Sequence, residues 1–215
     1  MERTENTYKN TIKITRIFFP MVGNVTSNKN RCKQNNLCVQ MEPFTISKAN
    51  ENGIRALSRK IEKLLEDKNG KLYRDNVVKF GIPEEYVKRA FSQKVLIGAA
   101  QTGKATFYLA LKNRRVILGF AQTIGNDSAT VELDRIVVFP GYERMGTGTK
   151  LLKRAIADQE KKRTESIIVR TGRDEAHARA FYEKNGFKKV KEEVVKSPWG
   201  KEIPLAVYLF QLTYK

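Results

Sequence analysis

The sequence predicts an α+β domain built on a mixed sheet, and three observations carry that prediction. Runs rich in β-branched and aromatic residues, "ATFYLALK", "RVILGFAQTI" and "ATVELDRIVVF", succeed one another across short turns. Segments with helical apolar spacing precede and follow this block. An isolated apolar strand, "ESIIVRT", lies between the last two helices, and a two-stranded hairpin ends the chain. The order is therefore β, α, α, three β, α, β, α, β, β, a central and mostly antiparallel sheet flanked by helices.

Each element has a local reason. The stretch "MEPFTISKANENGIRALSRKIEKLL" reads as a short strand followed by a helix, in which Ile54, Leu57, Ile61, Leu64 and Leu65 share one face. A second helix is expected from Pro83, a favoured first position. Glu84 and Glu85 follow near the positive end of its dipole, and Tyr86, Val87, Ala90 and Phe91 form its apolar side. The three β runs are separated by "NR" and "GNDS", turn material that implies an antiparallel meander. Further on, Leu151, Leu152, Ala155, Ile156 and Gln159 line one helical face, opposite Lys153, Arg154, Lys161 and Lys162. "DEAHARAFYEKNGF" is a helix closed by Gly186. "KKVKEEVV" and "IPLAVYLFQLTY" then pair around "KSPWGKE".

The chain has 215 residues, 40% of them hydrophobic and 30% charged, which is globular composition. Residues 1–40, rich in Asn and Lys, read as a basic extension, and residues 41–215 read as the domain, with Met41 a natural start. No apolar run approaches the roughly 18 residues that a membrane helix needs, and the N-terminus lacks the pattern of a secretory signal. A cytoplasmic protein with no membrane association is expected. Cys32 and Cys38 are the two cysteines and His177 the one histidine, too few ligands for a metal site. The net charge of +18 suits contact with nucleic acid or the ribosome, or simply a soluble basic surface.

Chemistry concentrates in "RIVVFPGYERMGTGTKLLKRA", where an apolar strand passes through a glycine turn into a helix. The first amides of a helix have no intrahelical acceptor, so such a turn can hold a phosphate. The Walker A pattern fits Gly141 and Gly146 but requires Lys where Thr147 stands. The dinucleotide pattern fits Gly146 and Gly148 but requires Gly at Leu151, and it belongs to a βαβ unit. Both fail.

Two motifs in register resolve the turn. "LDRIVVFPGYERMGTGTKLLKRA", followed by "AFYEKNGFKKV", resembles the GNAT superfamily of acetyl-CoA-dependent N-acetyltransferases. The family signature has an apolar strand, Pro, then Gln/Arg-x-x-Gly-x-Gly/Ala. Its second part is matched by Ala178, Phe181, Tyr182, Lys184, Gly186 and Phe187. The resemblance spans residues 43–215. It implies the GNAT acyltransferase fold, acetyl-CoA as acetyl donor, and a cofactor cradle of Val137, Val138, Arg144, Met145, Gly146, Thr147, Gly148, Thr149, Glu175 and Tyr182. Two positions depart from the pattern. Glu143 stands at the Gln/Arg position with Arg144 beside it, and Glu175 replaces the usual Asn.

Acetyl transfer requires a neutral amine, a donor to the thioester oxygen and a proton for the departing thiolate. The resemblance assigns the oxygen to a backbone amide at Val138 or a neighbour and the proton to Tyr182. Glu132 and Asp134, two apart and so on one face of a strand, are the candidate bases, with Glu132 favoured for its reach, unless they serve only to pair with Arg135, Arg170 or other nearby cations. His177 is expected on the polar side of its helix. No cysteine occurs in residues 41–215, so transfer is direct rather than through an acetyl-cysteine. The acceptor is an unidentified amine: a small amine, a protein amine or an aminoacyl-tRNA. Residues 50–94 and the hairpin with Trp199 are where the family selects it. The alternative is a catalytically degenerate module of the same fold that binds CoA or nucleic acid. A monomer or homodimer is expected.

Overall fold

The computed structural model describes residues 44–125 and 129–213. Residues 1–40, with Cys32 and Cys38, lie outside that range. The elements run β1 (Phe44–Lys48), α1 (Glu51–Glu66), α2 (Lys71–Tyr73), α3 (Glu84–Ala90), α4 (Gln93–Gln101), β2 (Ala105–Lys112), β3 (Val116–Gly125), β4 (Thr130–Val138), α5 (Thr147–Lys161), β5 (Ser166–Gly172), α6 (Ala176–Lys184), β6 (Lys188–Lys196) and β7 (Glu202–Gln211). A π-helical turn, Arg74–Lys79, continues α2.

One seven-stranded sheet in the order β1-β2-β3-β4-β5-β7-β6 organises the chain. Every adjacent pair is antiparallel except β4 and β5. The meander is as expected, and its first turn shows why "NR" makes one. Asn113 and Arg114 both take positive φ (51° and 56°), so the tight turn twists with the strands it joins. Helices α1, α3 and α4 cover one face of the sheet over Phe107, Leu109, Phe120, Val137 and Phe139. On the other face α5 and α6 pack over Tyr108, Leu118, Ile136, Val169 and Tyr208.

The expected face of α1 is buried at Ile54, Leu57, Ile61 and Leu65, and Asn50 caps the helix by accepting from the Gly53 amide. The second helix begins one residue later than expected, because Pro83 takes the cap position with extended ψ. Two helical pieces, the Lys71–Lys79 segment and α4, exceed the two anticipated before the meander. Helix α4 is short and buries only Leu96 and Ile97, which leaves little periodic signal. The π-turn has no sequence period of its own. It turns Asn76 fully inward, where the side-chain amide donates to the Leu72 carbonyl at 2.7 Å.

At the end of α6 the "EKNGF" stretch forms a paired terminal lock. The Phe187 amide donates to the Tyr182 carbonyl, the Gly186 amide to the Glu183 carbonyl, both at 3.0 Å. The Phe187 ring then rests on the Tyr182 ring at 5.6 Å. Tyr182 thus anchors the helix end with its backbone and ring while its hydroxyl makes neither contact.

Candidate active site

The parallel pairing of β4 with β5 is brief. It joins Thr130–Glu132 to Ser166–Ile168 and then stops, although β4 continues to Val138 and β5 to Gly172. The upper halves of the two strands therefore part, and a wedge opens between them. Beyond it, the Phe139 amide donates to the Leu118 carbonyl on β3 at 2.9 Å. Amides alternate in direction along an antiparallel ladder. The Val137 amide accordingly faces β3, while those of Ile136 and Val138 face the wedge. Of Val137 and Val138, only Val138 presents a backbone donor there.

Gly146 caps α5 at the mouth of this wedge, in left-handed conformation with φ 73°. The first bond of the helix is Lys150 N–H to the Gly146 carbonyl, 3.0 Å. By helical geometry the amides of Thr147, Gly148 and Thr149 precede the first intrahelical donor and point outward along the axis. Arg144 also takes a left-handed φ, 62°, which coils residues 144–146 tightly ahead of the helix. Gly146 and Arg144 are exposed, and Met145, Gly148 and Thr149 are half-buried.

The side chains around this turn differ from the expectation in one respect. Thr147 is buried, and its hydroxyl donates to the Tyr142 carbonyl at 3.3 Å, so it secures the turn and offers no contact to a ligand. Thr149 is the threonine left at the surface of the turn. Glu143 folds back, its carboxylate accepting the Gly141 amide at 2.7 Å. An acidic side chain thereby occupies an amide of the loop that leads into the cradle.

Tyr182 of α6 is buried, with its ring against those of Phe187 and of Tyr208 on β7. Burial first, and the Asp134 carboxylate second, push its phenol well above the ordinary tyrosine range, so the hydroxyl stays protonated and can act as a donor. The Asp134 carboxylate thus lies within electrostatic reach of the Tyr182 hydroxyl. The two candidate bases are not equivalent. The register between β3 and β4 shifts, with Gln122 opposite Arg135 and Thr123 opposite Leu133, so Asp134 sits in a bulge that interrupts simple alternation. There Asp134 and Arg135, although adjacent, form a buried pair, with Nε and Nη2 each 2.6 Å from Oδ2. The Arg135 guanidinium lies 5.2 Å from the Phe91 ring centre.

Glu132 looks to a different cation. Its carboxylate pairs with Arg170 of β5 at 2.8 Å, and Arg170 also donates through Nε to Glu193 of β6 at 2.8 Å. Burial works against the charge on Arg170, but Glu132 and Glu193 outweigh it and raise its pKa. Both carboxylates are thus held by arginines.

The remaining candidates divide. Glu175 precedes α6 and pairs with Lys79 of the π-turn at 2.5 Å. His177 is exposed. Trp199 meets Tyr86 of α3 edge-on at 5.6 Å, and Lys201 donates to the Phe80 carbonyl at 3.0 Å. The hairpin between β6 and β7 therefore clasps the α2–α3 segment across the sheet end. Two participants escaped the sequence reading, Lys79 and Lys60. Neither carries a motif, and their partners are remote in the chain. Among the described residues no group of His, Cys, Asp and Glu could hold a metal ion, and no helix is long and apolar enough to cross a membrane.

Residues 103–189 match the family model of the acetyltransferase (GNAT) domain. Over those residues the chain is similar to GNAT acetyltransferases. Solved structures agree in fold. The ribosomal-protein-S18-alanine N-acetyltransferase of Escherichia coli is 20% identical with a TM-score of 0.58, over 80% of this chain and 96% of that one. The PaiA N-acetyltransferase of Thermoplasma acidophilum, in complex with coenzyme A, is 19% identical with a TM-score of 0.58, over 79% and 99%. A GNAT family acetyltransferase of Elizabethkingia anophelis with acetyl-CoA bound is 19% identical with a TM-score of 0.53, over 79% and 98%. At these identities the likeness is one of fold. A comparison with curated protein sequences finds no match.

Proposed function

We propose that this domain is an acetyl-CoA-dependent N-acetyltransferase that passes the acetyl group directly to a primary amine. One observation carries the reading: the wedge between β4 and β5 has the α5 amides at its mouth, the Val138 amide on its wall and the Tyr182 hydroxyl beside it. Those groups suit an extended thioester with phosphates at one end. Acetyl-CoA, when bound, supplies the activated acetyl group. The α5 amides take its phosphates, and the Val138 N–H donates to the carbonyl oxygen as charge develops there.

Tyr182 donates its proton to the departing sulfur, and the proton that the acetylated nitrogen sheds restores the phenol. Asp134, coupled to Tyr182, is better placed at the reacting end than Glu132, which belongs to the chain of charges through Arg170 and Glu193. An amine that reaches the wedge neutral needs no base before it attacks. The acceptor is a small amine, a protein amine or an aminoacyl-tRNA, and the basic surface favours one that is itself acidic or carried on a polyanion such as the ribosome. Residues 1–40 are a basic extension outside the catalytic domain.

A second reading rests on Glu143, an acid where the family pattern has Gln or Arg. It is a non-catalytic module of the same fold that binds CoA or nucleic acid. Calorimetric titration with acetyl-CoA tests both. Binding in the micromolar range with turnover on any member of an amine panel supports the enzyme. Binding without turnover, together with salt-sensitive RNA binding, supports the module.

A further inference from the structure

The glycine turn lacks a cation at position 143, yet a cation approaches it from elsewhere in the fold. Lys60 of α1 holds its ammonium 5.1 Å from the Phe139 ring centre and 5.6 Å from that of Tyr142. Those two rings bracket Pro140 and Gly141, the residues through which β4 leaves the sheet for the turn. Phe139 is buried in the face covered by α1, and Tyr142 touches the cores on both faces of the sheet. Lys60 is therefore stationed at the sheet end, beside the segment that leads into the cradle.

We infer that Lys60 supplies, from α1, a phosphate-directed positive charge in compensation for the acid at position 143, alongside Arg144 of the turn. The inference rests on the CoA reading above and names a residue for it. Three observations support it. Ring faces take one side of the ammonium, leaving its other N–H donors open, which suits a charge held ready for an anion. Burial lowers the pKa of Lys60, and no carboxylate contributes an opposing effect. An ammonium already stripped of part of its water, without an anionic partner among the described residues, gains more from an arriving phosphate than a solvated one. Lastly, the other lysine near the helix start is turned toward β1: Lys150 lies 4.2 Å over the Phe44 ring, in the core of the opposite sheet face from Phe139.

The test is calorimetric titration of CoA into the whole chain and into Lys60→Met and Lys60→Arg, at low and high salt. Methionine retains an unbranched stem that can still rest on the rings. The expected result is CoA bound about tenfold more weakly by Lys60→Met at low salt, a gap that narrows at high salt, and recovery to within about threefold by Lys60→Arg. Equal affinity of Lys60→Met and the parent overturns the inference while leaving the CoA reading intact. A loss that is the same at both salts and that arginine fails to recover assigns Lys60 to packing and overturns it as well. Failure of the parent to bind CoA at millimolar concentration overturns the CoA reading itself, and the role of Lys60 with it.

Discussion

The carboxylate of Glu143 accepts a hydrogen bond from the Gly141 amide at 2.7 Å, so the loop that leads into the α5 cradle carries its own anion. This contact couples a departure from the family pattern to the local backbone. It holds the acid against the entry of the turn and away from the amides of Thr147, Gly148 and Thr149, which lie further along at the helix start. A phosphate at those amides still meets a negative neighbour, and its affinity depends on direct amide contacts more than on the helix dipole, worth about 0.3–1 kcal/mol at an exposed end.

Gly146→Ala separates the conformational and binding roles of the turn. Nothing lies within 4 Å of a Cβ at this position, but its φ of 73° disfavours any side chain. The variant is expected to lose about 1–2 kcal/mol of stability, measured by urea denaturation without ligand. Its CoA affinity is expected to fall more than tenfold by calorimetry, because the added methyl group stands where the phosphates approach the backbone. Unchanged CoA affinity in a folded variant would remove this turn from the cofactor site.

Tyr182→Phe keeps the ring that packs on Phe187 and the carbonyl that accepts its amide, and deletes only the hydroxyl. Stability should change by less than about 1 kcal/mol, within the range of modest changes. The turnover number should fall roughly 10–100-fold with the KM for acetyl-CoA nearly constant, the pattern of a group that acts in the transition state. Steady-state kinetics at saturating amine provides the check.

Arg170 connects Glu132 to Glu193, and its removal leaves the buried Glu132 without its cation while Glu193 keeps only Lys191. Arg170→Met is expected to cost about 2–3 kcal/mol. Adding Glu132→Gln to Arg170→Met should restore part of that loss, which a double-mutant cycle in urea would read directly. A full additive loss would mean that the pair is not coupled.

Three buried tyrosines make the fold sensitive to alkali. Tyr108, Tyr182 and Tyr208 all have raised pKa values. Burial is the first cause in each case, with Asp158, Asp134 and Glu183 respectively adding to it, and Tyr208 is pushed up to about 12. An unfolded tyrosine titrates near about 10. The neutral phenols therefore contribute stability that is complete below that pH and is lost as pH rises from there toward the folded values. The urea midpoint should hold steady between pH 8 and pH 9.5 and then decline, and Tyr208→Phe should decline less steeply.

Much of this architecture was legible in the sequence, for definite reasons. The three meander strands carry continuous β-rich runs, and "NR" supplies the two positive-φ residues that a tight hairpin needs. Gly186 is legible as a helix cap, and Tyr182 and Phe187 through the motif they share with the GNAT superfamily. Features made by tertiary contact were not legible. The bulge at Asp134 shifts side-chain parity without any glycine or proline to mark it. Thr147 and Thr149 look alike in sequence, and only the packing of the turn sends one inward. Lys60 occupies an ordinary polar position of an amphipathic helix, and the rings that hold it lie far along the chain. The sequence allows Glu132 to pair with Arg170, but the partition of the two carboxylates between the two arginines depends on the strand register.

The central claim is tested most directly by following CoA thiol release from acetyl-CoA in the presence of a panel of small amines, peptides and aminoacyl-tRNA, with Tyr182→Phe in parallel. The account predicts release that depends on one class of amine, leaves a stoichiometric acetyl amide, and drops at least tenfold in the variant. Release independent of any amine, or equal release by parent and Tyr182→Phe, would contradict it.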